Sequence, residues 1–385
     1  MSVTRRSFVK AVGATGVGAL AVPFLSARGA EAAVVSPLAS PFDAPLGTPI
    51  GIRLDSNENP NGPGVAVLNA VHDAFTVSNR YPAGVNTEFV KVLATARAVK
   101  PENILMGCGS TEILSIAVRA FTSPTKPLVV ATPTYESPAA VAKTIGAPVR
   151  EVPVTGDLHL DLDAMAEAAK GAGLVYLCNP NNPTATVHGA PAVNSFIQTL
   201  AVTSPDTTIL VDEAYHEFVE DPSYATAIPV AMQNPRVIVA RTFSKIYGMA
   251  GLRLGYAIGT PETITVMQPL KLGSSTSTLA LAAAFAALKN PATHLERERR
   301  LNHDAKAFTT NFFEKAGYKV TPSQANFMMV DIRRDSKQFQ ADCKANGVLV
   351  GRPFPPLTTQ ARISIGTADE MRRATEIFKR VLVNA

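Results

Sequence analysis

The chain has no tryptophan, and aromatic residues make up only 6% of its 385 residues, so tyrosine and phenylalanine supply all the large aromatic surface. Cysteine is also scarce. Cys108, Cys178 and Cys343 are odd in number and widely spaced. That excludes a disulfide framework and a CxxC metal site, and leaves them as small buried apolar residues. The six histidines are scattered, and there is no P-loop and no HExxH, so nothing points to a metal or nucleotide enzyme. No basic stripe with interleaved aromatics is present, which argues against a nucleic-acid partner.

What is abundant is apolar: 46% hydrophobic against 17% charged residues, the balance of a globular chain with a sizeable core. The length suits two domains. The formal net charge is +5, but Arg5, Arg6, Lys10 and Arg28 stand against Glu31 alone in the first 32 residues, so the basic character sits mostly there. That segment reads as an export leader. Arg5-Arg6 precede a short, Gly- and Ala-rich apolar stretch from Ala11 to Leu25, and Ala30-Glu31-Ala32 makes an A-x-A cleavage signal. The apolar part is too short for a membrane span, which needs ~20 apolar residues. The paired arginines with Phe8 and Lys10 resemble a twin-arginine signal. The expectation is a signal peptide over 1–32 and export by the twin-arginine machinery to a bacterial periplasm.

After a Pro-, Ser- and Ala-rich arm come short apolar runs alternating with helical stretches. The runs are Leu128–Ala131, Leu174–Cys178, Thr208–Val211 and Val237–Ala240. Being apolar throughout, they read as strands buried on both faces of a mostly parallel sheet. Helical spacing of Ile113, Leu114, Ala117 and Phe121 completes an α/β pattern. Beyond about residue 290 the texture changes: a charged helical region opens at Glu296, and strands are expected near Asn326–Ile332 and at Arg362–Ile365. The expected organisation is an arm with part of a small domain (33–80), a large domain (81–290) and a smaller α+β domain (291–385).

The chemistry gathers where those runs end. Cys178 leads into Asn179-Pro180-Asn181-Asn182-Pro183-Thr184, Val211 into Asp212-Glu213-Ala214-Tyr215, and Ala240 into Arg241-Thr242-Phe243-Ser244-Lys245. Ligands bind outside the carboxyl ends of strands in open α/β sheets. This rim therefore collects an amide, a carboxylate, a phenol and an amine. A cofactor with a pyridinium nitrogen, a phenolate oxygen and an aldehyde needs those groups. Gly107-Cys108-Gly109-Ser110-Thr111, before a helical run, offers backbone N–H groups and hydroxyls to a phosphate.

With these motifs in order, the chain resembles a fold type I pyridoxal-phosphate-dependent aminotransferase, nearest the histidinol-phosphate aminotransferase subgroup. The resemblance spans Leu54-Asp55-Ser56-Asn57-Glu58-Asn59-Pro60 to Arg362-Ile363-Ser364-Ile365-Gly366-Thr367, nearly all of the chain after the leader. It implies that Lys245, in Thr242-Phe243-Ser244-Lys245, bonds the cofactor aldehyde and shuttles the substrate α-proton. Asp212 would pair with the ring nitrogen, and Tyr215 and Asn182 with the ring oxygen. Ser110, Thr111, Thr242, Ser244 and Arg253 would hold the phosphate, and Tyr135 would stack on the ring. Tyr81 would reach the partner subunit's cofactor, making an obligate homodimer. Arg362 would clamp the substrate α-carboxylate bidentately, and Arg352 lies in the segment that reads the distal group. The implied reaction is ping-pong amino transfer from an amino acid or amino-alcohol phosphate to a 2-oxo acid. Decarboxylation or elimination on the same scaffold, or binding without turnover, stay open. Two positions depart from the pattern. Ala185 stands where the family usually has glycine, and Gly351 separates Val350 from Arg352, where the histidinol-phosphate enzymes place an arginine directly after the valine.

Overall fold

The computed structural model describes residues 51–383; the expected leader (1–32) and the arm residues 33–50 lie outside the described residues. The first strand, β1 (Ile52–Leu54), runs away from the main sheet. The next seven form one sheet: β2 (Ile104–Gly107), β3 (Leu128–Thr132), β4 (Val149–Pro153), β5 (Leu174–Cys178), β6 (Thr208–Asp212), β7 (Val237–Thr242) and β8 (Gly255–Ile258). Their order is β2-β8-β7-β6-β5-β3-β4, with β8 antiparallel to both neighbours and the other pairs parallel.

The unbroken apolar runs have a direct cause. Val129, Val175, Ile209 and Val239 face one hydrophobic cluster, whereas Val130, Tyr176, Leu210 and Ile238 face the other. Each face is covered by helices, so period-two alternation has no polar phase. Every expected strand of the central sheet is present. The sequence reading missed β2, β4 and β8. The edge strand β4 reads Val-Arg-Glu-Val-Pro and exposes its polar side chains, and β8 begins with a glycine.

Four further strands follow: β9 (Lys319–Val320), β10 (Phe327–Asp331), β11 (Val348–Val350) and β12 (Gln360–Ser364). β12-β10-β9 form an antiparallel sheet, and β11 pairs in parallel with β1. A third hydrophobic cluster holds these elements together. Ile52 and Leu54 meet Val348, Val350, Met328 and Ile363 there. The helices Pro291–Lys315, Ser336–Ala345 and Ala368–Val383 close it with Phe313, Phe339 and Phe378. Residues at the start of the described chain are thus built into the same core as its last helix.

Two consequences position the site. In the parallel register Cys178 lies opposite Asp212, and Asp212 opposite Ala240, so three strands end on one rim. The β1–β11 pair and the middle of β12 then bring Asp55–Glu58, Arg352 and Arg362 to the same cavity.

Candidate active site

That cavity encloses about 490 Å³, and every side chain assigned to the cofactor or substrate from the sequence except Tyr81 lines it. Tyr81 is 87% exposed and takes no part in the cavity wall of this chain.

At its floor sits Asp212, the last residue of β6 and 3% exposed. Its Oδ2 accepts a hydrogen bond from the Tyr176 hydroxyl at 2.8 Å, and its Oδ1 accepts the Ala214 N–H at 3.1 Å. Burial pushes its pKa up to about 6, and these two hydrogen bonds and the Lys245 charge oppose that rise. The sheet therefore holds an anion in a dry place, ready for a cationic partner.

Lys245 follows β7 by three residues, its Nζ 3.4 Å from the Ser56 carbonyl oxygen and 5.6 Å from the centroid of the Tyr215 ring. Burial, then the charge of Arg362, brings its pKa down to about 8. A lysine near that value carries a useful fraction of free amine at neutral pH and is a competent nucleophile and base. The Tyr215 hydroxyl accepts a hydrogen bond from Asn57 Nδ2 at 3.1 Å, which leaves its own proton free to donate.

Arg362, on β12, is 8% exposed. Its Nη1 donates to Asn182 Oδ1 at 2.7 Å and its Nη2 to the Asp55 carbonyl, while its buried Nε has no partner. Because Asn182 Oδ1 is taken by Arg362, the Asn182 Nδ2 group remains to donate elsewhere. Arg352 pairs with Glu136 at 2.6 Å, and its guanidinium lies 4.3 Å from the centroid of Phe354, on which Arg362 also lies at 4.9 Å.

The far end suits an anion. The 13-residue helix Gly109–Phe121 starts at the cavity and presents the free N–H groups of its first turn beside Ser110 and Thr111. Arg253 reaches Ser244 Oγ with Nη1 at 3.3 Å, and Ser244 receives a hydrogen bond from Thr242 Oγ1 at 2.9 Å. The glycine at 109 is required twice over. Its φ is +74°, and a Cβ there would lie 2.3 Å from Arg253 Nη2.

Behind the rim, Arg241 and Glu213 form a buried ion pair at 2.7 Å, with Arg241 also donating to Thr226. They adjoin Thr242 and Asp212 in sequence, so the pair ties the ends of β6 and β7 together. The two departures from the family pattern have structural expression. Ala185 is fully buried with φ 62°, a left-handed conformation that disfavours a Cβ. Gly351 lies where a Cβ would come within 2.8 Å of the Arg362 carbonyl oxygen and 3.1 Å of its Nε. No side chain fits at 351 without moving Arg362.

Several cavity residues were given no role from sequence: Asn57, Glu58, Glu136, Gln340 and Phe354 line the wall. Asn57 could have been found. Its signal was its place in Ser56-Asn57-Glu58-Asn59-Pro60; the structure buries it at φ 52°, which Asn tolerates better than most residues. Tyr176 lies beneath the cavity inside an apolar run and carries no sequence signal of its hydrogen bond.

A strand rim bearing a lysine, a buried carboxylate and an anion cradle, closed by an arginine from a second sheet, is an aminotransferase architecture. The chain belongs to the class I and II aminotransferase family, whose model matches residues 49–378. It is 38% identical over 342 residues to a histidinol-phosphate aminotransferase of Moorella thermoacetica, covering 88% of this chain and 86% of that protein. An aromatic amino acid aminotransferase of Mycobacteroides abscessus is 35% identical over 323 residues, covering 84% and 90%. Among solved structures, a histidinol-phosphate aminotransferase from Sinorhizobium meliloti in complex with pyridoxal 5′-phosphate superimposes with a TM-score of 0.81 at 28% identity, covering 87% of this chain and 91% of that one.

Proposed function

We propose that this chain binds pyridoxal 5′-phosphate in the cavity and moves an amino group from an amino acid or amino-alcohol phosphate to a 2-oxo acid in two half-reactions. The observation that carries this reading is the shared cavity of Lys245, with its lowered pKa, and Asp212, a buried carboxylate whose pKa burial raises. The residues fit the cofactor on their own chemistry. Asp212 offers an anion to a pyridine nitrogen, Tyr215 and Asn182 offer donors to a ring oxygen, and the Gly109 turn with Ser244 and Arg253 offers a cradle to a phosphate.

When bound, the cofactor supplies an aldehyde to hold the donor's nitrogen and a ring that draws electrons from the donor's α-carbon. The chain's residues do the rest. Asp212 keeps the ring nitrogen protonated. Arg362 grips an α-carboxylate, or an anionic group in its place, and so fixes the α-carbon beside Lys245. The Lys245 amine takes the α-proton and returns it. Tyr135, on the cavity wall, supplies an aromatic face to the ring.

The donor class rests on the relatives' two named activities, toward histidinol phosphate and toward aromatic amino acids. Arg352 and Phe354 are the groups a distal substrate moiety would meet. Mixing the cofactor-loaded protein with single donors and no 2-oxo acid tests the reading. Conversion of the cofactor to its aminated form supports transfer, whereas release of carbon dioxide without it points to decarboxylation.

Two further parts belong to the proposal. Exposed Val65, Leu68, Phe75 and Tyr81 support a homodimer in which Tyr81 reaches the partner's cavity. Arg5-Arg6, the following apolar stretch and Ala30-Glu31-Ala32 support twin-arginine export to the periplasm. N-terminal sequencing of the periplasmic protein, with Arg5 and Arg6 both changed to Lys as control, tests the export.

A further inference from the structure

We propose that Tyr176 is a positioning residue for the cofactor, its phenol fixing and charging Asp212 from the adjacent strand. The inference rests on the cofactor reading above. Tyr176 sits on β5 and Asp212 on the adjacent β6. The register places Tyr176 opposite Leu210 and Cys178 opposite Asp212, so the phenol reaches diagonally along the shared face to Asp212. It is 1% exposed, and its hydroxyl donates to Asp212 Oδ2 at 2.8 Å.

The surroundings make this contact informative. Tyr176 belongs to a buried hydrophobic cluster that includes Val130 and Leu210, the residues opposite it on the flanking strands β3 and β6. A hydroxyl placed in such a cluster is unfavourable unless it is paired. Phenylalanine would fill the same space without that cost, so the oxygen answers to Asp212. Burial, and then the Asp212 charge, hold the phenol's pKa well above its ordinary value, so it stays a donor at every working pH. With the Ala214 N–H on Oδ1, both carboxylate oxygens are held and the carboxylate plane is fixed against the cavity.

The phenol also acts on charge. The groups facing Asp212 are Tyr176 and Cys178 from β5, Lys245 from beyond β7, and Glu213 and Tyr215 just after it in chain. Burial raises Asp212, and the Tyr176 hydrogen bond lowers it again. Without the hydroxyl, Asp212 would hold its proton to a higher pH and present less negative charge to a ring nitrogen near neutrality.

Tyr176→Phe tests this with cofactor-free protein and pyridoxamine 5′-phosphate as probe, which carries the ring and phosphate but no aldehyde for Lys245. A charge-assisted hydrogen bond of about 1.5–3 kcal/mol corresponds to about one to two pKa units on Asp212, which lowers its ionised fraction at pH 7 by about 2- to 15-fold. Dissociation constants should therefore rise by about 2- to 15-fold at pH 7, and the pH at which affinity falls off should move upward. In an Asp212→Asn background the same substitution should have little effect, because the coupling runs through that carboxylate. Unchanged binding by Tyr176→Phe across the pH range would overturn the proposal. So would an equal loss in both backgrounds, which would mark a packing role. If the unsubstituted protein itself fails to bind the probe, the cofactor reading fails instead.

Discussion

Asp212→Asn should make the cofactor-free protein more stable and a poorer binder. Asp212 is buried at the cavity floor, and its pKa rises from 3.8 to about 6. A group whose folded pKa is raised contributes stability that is full below the unfolded pKa and is lost as pH rises through the folded one. Each pKa unit corresponds to about 1.4 kcal/mol, so the unsubstituted protein loses about 2.5 kcal/mol from this group between pH 4 and pH 7.5. Asparagine has no charge to desolvate. Its amide keeps the shape of the carboxylate, Oδ1 can still accept the Ala214 N–H, and the Tyr176 hydroxyl can turn to accept from Nδ2. Urea unfolding of both proteins, cofactor-free and at one protein concentration, reads the difference. The two curves should lie close at pH 4, and the variant should be the more stable by about 1–3 kcal/mol at pH 7.5. Affinity for pyridoxamine 5′-phosphate should move the other way, by about 10- to 100-fold. A variant that is less stable at pH 7.5, with an unchanged pH slope, would refute the reasoning.

Lys245, with a pKa brought down to about 8, should capture pyridoxal phosphate faster as pH rises from 7 to 9 and level off above that. Stopped-flow absorbance measures this, and a rate still climbing at pH 10 would contradict it. Arg241→Met strands the buried Glu213 carboxylate and should cost about 3–5 kcal/mol in urea unfolding, much of it recovered by adding Glu213→Leu. A single-variant cost below about 1 kcal/mol would show that the pair does not tie β6 to β7. Gly109→Ala forces Arg253 away from the anion cradle and should weaken cofactor binding by at least about 10-fold by equilibrium dialysis, since it also strains a residue at φ +74°.

The central sheet was legible because strands buried on both faces leave unbroken apolar runs, and because Asp212, Asn182 and Lys245 each follow such a run. β4 was hidden by its exposed edge, where Arg150 and Glu151 break the apolar signal. β1 and β11 span three residues each, too short for periodicity, and exist because they pair with each other across almost the whole chain. For the same reason Asn57 could not be linked to Tyr215, nor Asp55 to Arg362, before the fold was known. Tyr176 looked like core because it is core. Its hydroxyl acquires meaning only from the β5–β6 register. Ala185 was legible in the opposite sense: the missing glycine was visible in sequence, and the left-handed backbone that would have used it is still there.

The central claim is that Lys245 and Asp212 make this cavity a transaminating cofactor site. The most direct measurement is the absorbance spectrum of the cofactor-loaded protein as histidinol phosphate or an aromatic amino acid is added without a 2-oxo acid, beside Lys245→Ala. The account predicts that the band of the lysine-bound cofactor gives way to that of its aminated form in the unsubstituted protein, and that the variant makes no catalytic conversion. A protein that never shows a lysine-bound band with added pyridoxal phosphate, or a Lys245→Ala variant that converts donors at the same rate, would contradict it.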